Sequence, residues 1–157
     1  MYIDTAIEAW IYTTLSSDAT LMDYLAPLNL PPNYQQCVYM HLAPQVDPIS
    51  NAAPQPPYVV ATRYGVTNND DVTIGDNILS YPMYRISVWD TQSGMISMRR
   101  CQDIMERVAI LINRQTVTSN GHIWFIRKDT NDSIIDVSSG GRVDYGVSTT
   151  YHIIVQQ

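Results

Sequence analysis

Basic charge, sulfur and long apolar runs are all scarce in this sequence. Nine lysines and arginines stand against 15 aspartates and glutamates, a formal net charge of −6. That balance argues against a general nucleic-acid binder, which needs a basic surface to displace counterions from phosphates. It argues equally against docking on an anionic membrane. The densest apolar run, Val108-Ala-Ile-Leu-Ile112, is far shorter than the roughly 20 residues that a helix needs to cross a bilayer. The first residues, Met1-Tyr-Ile-Asp-Thr, lack the basic region and continuous apolar stretch of a signal peptide. The two cysteines, Cys37 and Cys101, form neither a CxxC pair nor a dense framework. Free, reduced thiols in a cytoplasmic compartment are therefore expected.

What is present suits one α+β domain. The chain has 157 residues, 45% of them hydrophobic, enough for one core and too few for a second. No internal repeat or low-complexity tract interrupts residues 1–157.

Periodicity places the elements. Over residues 2–15, Ala6, Ile7, Trp10, Ile11, Thr14 and Leu15 recur at helical spacing. Asp18 is placed to cap a short second helix carrying Leu21, Met22 and Leu25, ended by Pro27. A strand is expected at 37–42. Residues 43–57 follow with five prolines, which forbid a central strand or helix and predict a long, stiff surface loop. Further strands are expected at 58–64 and 81–90, separated by a polar tongue at 66–80 with a turn at Gly75 and Asp76. In the second of these strands Tyr84, Ile86 and Val88 alternate with Arg85, Ser87 and Trp89. A long helix running to about Arg114 carries Met95, Met98, Cys101 or Gln102, Ile104, Met105, Val108, Leu111 and Ile112 on its inner stripe. A polar stretch at 113–120 leads to strands at 122–127, 133–137 and 143–155. The order is α-β-β-β-α-β-β-β. It predicts a mostly antiparallel sheet with two main helices packed on one face.

No motif of catalysis or metal binding emerges, and an enzyme is not expected. His41, His122 and His152 lie in three different strands without ligand partners at zinc-site spacing. The run from Asp129 to Asp136 has oxygen ligands but carries Ile134 where a calcium loop needs glycine, and no glutamate follows. Gly140-Gly141 precedes no helix and no GK[ST] element, so it reads as a hairpin turn. Neither a GxSxG elbow nor a local base beside a cysteine occurs. No cofactor is implied. The conspicuous surplus is tyrosine, 11 against one phenylalanine. Both protein interfaces and half-exposed strands favour it.

The layout resembles the tail terminator, or tail completion, family of long-tailed bacteriophages. The likeness is carried by the segment Leu15-Ser-Ser-Asp-Ala-Thr-Leu-Met22 after the first helix and by the strands Val38-Tyr-Met-His-Leu-Ala-Pro44 and Pro56-Pro-Tyr-Val-Val60. Tyr84-Arg-Ile-Ser-Val-Trp-Asp90 leading into the long helix and the closing strand from Tyr145 to Val155 complete it. The resemblance implies a virion protein assembled in the host cytoplasm. It implies a homo-oligomeric ring, usually a hexamer, that caps the head-proximal end of the tail tube, contacts the tube protein and a neck or head-completion protein, and lets DNA pass without gripping it. Another neck or connector component of the same virion is the alternative, and a small-molecule-binding module a second one. The sheet edges and the two long segments, 43–57 and 66–80, are the candidate contact regions, with Pro54, Pro56, Asn68, Asn69, Asp70 and Asp71 as candidate subunit or partner contacts.

Overall fold

The computed structural model describes residues 3–26, 34–64, 71–74, 77–80, 82–91, 95–119, 122–129, 133–139 and 142–156. For 3–4, 71–74, 77–80, 95–97, 119, 122, 133–139, 142–144 and 156 it describes the backbone alone. Among the described residues the chain forms three helices and nine strands, all nine in one sheet.

The helices are those the apolar spacing predicts. Helix α1 (Ile3–Ser16) contains neither glycine nor proline and buries Ile7, Ile11 and Leu15 completely or nearly so. Each such side chain contributes about 1.5–3 kcal/mol on leaving water. Helix α2 (Ala19–Leu25) starts where Asp18, in extended conformation, accepts a 2.7 Å hydrogen bond from the Leu21 N–H. That bond satisfies one of the amides that a helix start leaves open. Helix α3 (Met95–Ile112) faces inward through Cys101, Ile104, Met105, Val108 and Ile112, while Gln102 is exposed. It stops before Arg114, whose φ of 61° lies in the left-handed region and cannot continue a right-handed helix.

The strands are β1 (Val38–Met40), β2 (Tyr58–Arg63), β3 (Asp71–Ile74), β4 (Asn77–Ser80), β5 (Met83–Asp90), β6 (Thr116–Ser119), β7 (His122–Lys128), β8 (Ser133–Ser139) and β9 (Arg142–Gln156). Strand β9 is the seam. Along one edge it pairs with β8 and then β7, and along the other with β5 and then β4. β5 continues to β2 and β2 to β1, while β3 pairs with β4 and β6 with β7. All pairs are antiparallel except β1–β2, which is parallel.

One sheet face meets the helices. Opposite residues share a face, so Val59, Val88 and Val147 form one row. Tyr84 with Tyr151, Ile126 with Ile153 and Trp124 with Val155 extend the same surface. All are buried and form one cluster with the inner stripes of α1, α2 and α3. The expected mostly antiparallel α+β sheet under helices on one face is thus observed.

Three strands were not expected. The tongue is not loop throughout, since 71–74 and 77–80 form an antiparallel hairpin, and β4 joins the sheet through Leu79 opposite Gln156 and Ser80 opposite Val155. The stretch 113–120 is not simply a polar exit. The Arg114 N–H bonds to the Ile126 carbonyl, and β6 then pairs along β7 with Val117 opposite Trp124. Strands β3 and β6 lie at edges of the sheet, and a short edge strand carries little of the hydrophobic signature that marks a central one.

Candidate interaction surfaces

Two buried anchors hold the proline-rich loop at 43–57 to the body. Asp47, fully buried, takes four hydrogen bonds on its carboxylate. Oδ1 accepts from the Ile49 and Ser50 N–H groups, each at 2.9 Å. Oδ2 accepts from the Tyr39 hydroxyl at 2.7 Å and the Gln36 N–H at 3.0 Å. Burial alone would raise its pKa. The hydrogen bonds from Ser50, Tyr39, Gln36 and Ile49 outweigh it and hold the carboxyl down at about 2. The buried Gln35 supplies the second anchor. Its Nε2 donates to the Gln55 carbonyl at 2.6 Å and its Oε1 accepts from the Gln55 N–H at 2.8 Å. Neither anchor was singled out in the sequence. Asp47-Pro-Ile-Ser50 did carry a signal, because aspartate accepting from the amides two and three residues on makes an Asx turn.

The pinned loop presents apolar groups outward. Leu42, Val46 and Ile49 are exposed by 79%, 58% and 55%. Leu42 and Val46 line an open trough of about 490 Å3 together with Tyr12, Tyr39, Met40, Pro44 and Pro48. Of the predicted contact residues, Pro54 and Pro56 lie half-buried in this loop. Asn68, Asn69 and Asp70 lie outside the described residues, and Asp71 opens β3 as backbone alone.

The sheet face away from the helices is a second surface. Tyr58, Val60, Arg85, Ser87, Trp89, His152, Ile154, Ile123, Phe125 and Arg127 share it by register. Gly146 lies under the Trp89 ring, where an added Cβ would meet Cε3 at 3.0 Å. The Arg85 guanidinium sits 3.8 Å from the centroid of the Tyr64 ring. Ile123 and Phe125 are exposed by 46% and 39%.

The third surface is the outer side of the helices, where Thr20, Tyr24, Asp103, Glu106, Arg107 and Ile110 line an open groove of about 210 Å3. Arg107 binds the Asp18 carboxylate through Nε at 3.0 Å and Nη2 at 2.7 Å, fastening α2 to α3. The Arg107 hydrogen bond holds the Asp18 carboxyl below its usual range. Arg100 grips the fully buried Asp90 with two 2.7 Å bonds, fastening α3 to the end of β5.

Among the described residues the thiols and histidines do not converge. Cys37 and Cys101 are free and buried. Burial pushes their thiols up to about 11 and about 12, so both stay protonated at neutral pH and are poor nucleophiles. His41 reaches Glu8 at 3.2 Å and His152 reaches Asp129 at 3.4 Å, whereas the side chain of His122 lies outside those described. Among the described residues no group of three His, Cys, Asp or Glu side chains is placed to hold a metal. No described helix is long and apolar enough to cross a membrane.

Neither a protein-family model nor a curated protein matches the sequence. The fold does have solved counterparts. A chain from the virion of a native gene transfer agent particle superposes with a TM-score of 0.67 at 14% identity, covering 100% of both chains. A second solved structure matches with a TM-score of 0.54 and 14% identity over 98% of this chain and 96% of its own. At these identities the likeness is one of fold.

Proposed function

We propose that the chain is a structural component of a phage-like virion, and within it the tail terminator. Copies form a ring, a hexamer by the family resemblance, that caps the head-proximal end of the tail tube. The ring stops the addition of tube subunits and offers its other side to a neck or head-completion protein. It works by binding alone and catalyses no reaction. The observation that carries this reading is the end-to-end fold match, over the whole of both chains, to a chain of a gene transfer agent virion. Exposed apolar groups on the pinned loop and on the free sheet face suit a protein that works between neighbours. With a net charge of −6 per chain, a ring of copies repels phosphates, so DNA slides through its lumen rather than sticking to it.

The test is made on particles. Cryo-electron microscopy of tails should place a ring of this chain on the last tube ring at the head-proximal end, with its lumen open. Particles made without the gene should carry tubes of uncontrolled length. Tubes of normal length that fail to join heads would point to a neck connector instead. Finding the chain at the distal tip would refute both readings.

A further inference from the structure

The helix side and the free sheet side of this chain carry exposed apolar groups beside charges of opposite sign. On the helix side, Tyr24 and Ile110 are exposed by 46% and 63%. They line one groove with Asp103 and Glu106, both exposed, and Asp23 is exposed beside Tyr24 on α2. Two cations belong to this side, Arg107 in the groove lining and Arg99 on α3. Arg107 is held by Asp18, and Arg99 lies one helical turn before Asp103, outside the lining. On the sheet side, Ile123 and Phe125 project from β7 and Ile154 from β9, with Phe125 opposite Ile154. Arg127, exposed, follows on the same face opposite His152, and Arg85 stands fixed over Tyr64 nearby. The one described acid beside them, Asp129, is at 3.4 Å from His152.

We propose that these two surfaces are the two halves of a contact between copies of this chain. The free sheet face of one copy seats on the α2–α3 groove of the next, Phe125 and Ile123 against Ile110 and Tyr24, with Arg127 and Arg85 facing Asp103, Glu106 and Asp23. The partner is a second copy because one chain carries both complements, the acids Asp103, Glu106 and Asp23 at the groove and Arg127 and Arg85 on the outer sheet face. Like charges facing each other would oppose a sheet-to-sheet or helix-to-helix pairing, so the contact is head to tail. Repeated head-to-tail contacts close into a ring or run on as a filament. This inference deepens the ring reading above and rests on it for closure alone.

Crosslinking between separately made variants tests the contact. Full-length Phe125→Cys and Ile110→Cys proteins, mixed at high concentration under mild oxidation, should yield a disulfide-linked pair, while neither variant should crosslink with itself. The native thiols are buried and do not compete. Arg127→Glu in the first protein, or Glu106→Arg in the second, should lower the yield several-fold, and the two together should restore it. All four positions are exposed, so folding is retained and is checked by circular dichroism. No mixed crosslink, a self-crosslink of Phe125→Cys, or charge reversals without effect would each overturn the contact. A chain found at the tail's head-proximal end with no mixed crosslink refutes this contact alone. A mixed crosslink with the chain located elsewhere refutes the terminator reading alone.

Discussion

Replacing Asp47 by asparagine removes a buried charge that no cation balances among its hydrogen-bond partners. Four donors hold the carboxylate: the Ile49 and Ser50 amides on one oxygen, the Tyr39 hydroxyl and Gln36 amide on the other. An asparagine keeps one oxygen for Ile49 and Ser50. Its NH2 group then faces the other two donors. The Tyr39 hydroxyl can rotate and accept, but the Gln36 N–H cannot, and is left against a donor. Losing charge-assisted bonds and stranding one buried amide costs about 3 kcal/mol. In a chain of this size that lowers Tm by roughly 6–12 °C. The pH dependence separates this cause from a simple loss of packing. With a folded pKa of about 2 against an unfolded value of 3.8, the carboxylate stabilises the fold fully above the unfolded value. That stability is lost as pH falls through the folded value. The shift corresponds to about 2–3 kcal/mol at neutral pH, and roughly 1 kcal/mol of it is gone at pH 3. Urea unfolding of wild type and Asp47→Asn at pH 7 and pH 3 should therefore show a gap about 1 kcal/mol narrower at the lower pH. Equal stability at pH 7, or a gap unchanged between the two pH values, would refute the assignment of Asp47 as a charged anchor.

Three other substitutions probe the frame. Val108→Asp places a carboxylate where the side chain is fully buried in the helix–sheet core. It should cost more than about 4 kcal/mol and leave little folded protein, read by circular dichroism. Gly146→Ala puts a methyl 3.0 Å from the Trp89 ring and should cost about 1–3 kcal/mol, with a change in tryptophan fluorescence as the ring shifts. A variant as stable as wild type would show that the ring moves freely. Arg114→Gly relieves the left-handed conformation that ends α3. It should raise stability by about 0.5–1 kcal/mol in thermal unfolding, because glycine adopts that region without a Cβ clash.

The amino-acid sequence by itself determined the elements with one apolar face. Ile7, Ile11 and Leu15 at helical spacing and Tyr84, Ile86 and Val88 at strand spacing are buried as expected, because burial of a single face imposes its period on the chain. Asp18 was equally legible, since a helix cap is a contact between near neighbours. The tertiary structure alone decided features that depend on residues far apart. Whether Cys101 or Gln102 faced the core depended on how α3 rolled onto β5 and β9. The short runs 77–80 and 116–119 became strands because β9 at Gln156 and β7 at Trp124 offered backbone edges to pair with. The parallel course of β1 against β2 followed from the loop that Asp47 and Gln35 hold in place. Asp47 itself is buried because Tyr39 and Gln36 converge on it, and burying a charge is tolerable only where such donors already wait. Likewise, Asp23, Asp103 and Glu106 gather at the α2–α3 groove while Arg85 and Arg127 share the outer sheet face. Sequence order carries no record of that separation, because charges sort by face only once the sheet is paired and the helices lie across it.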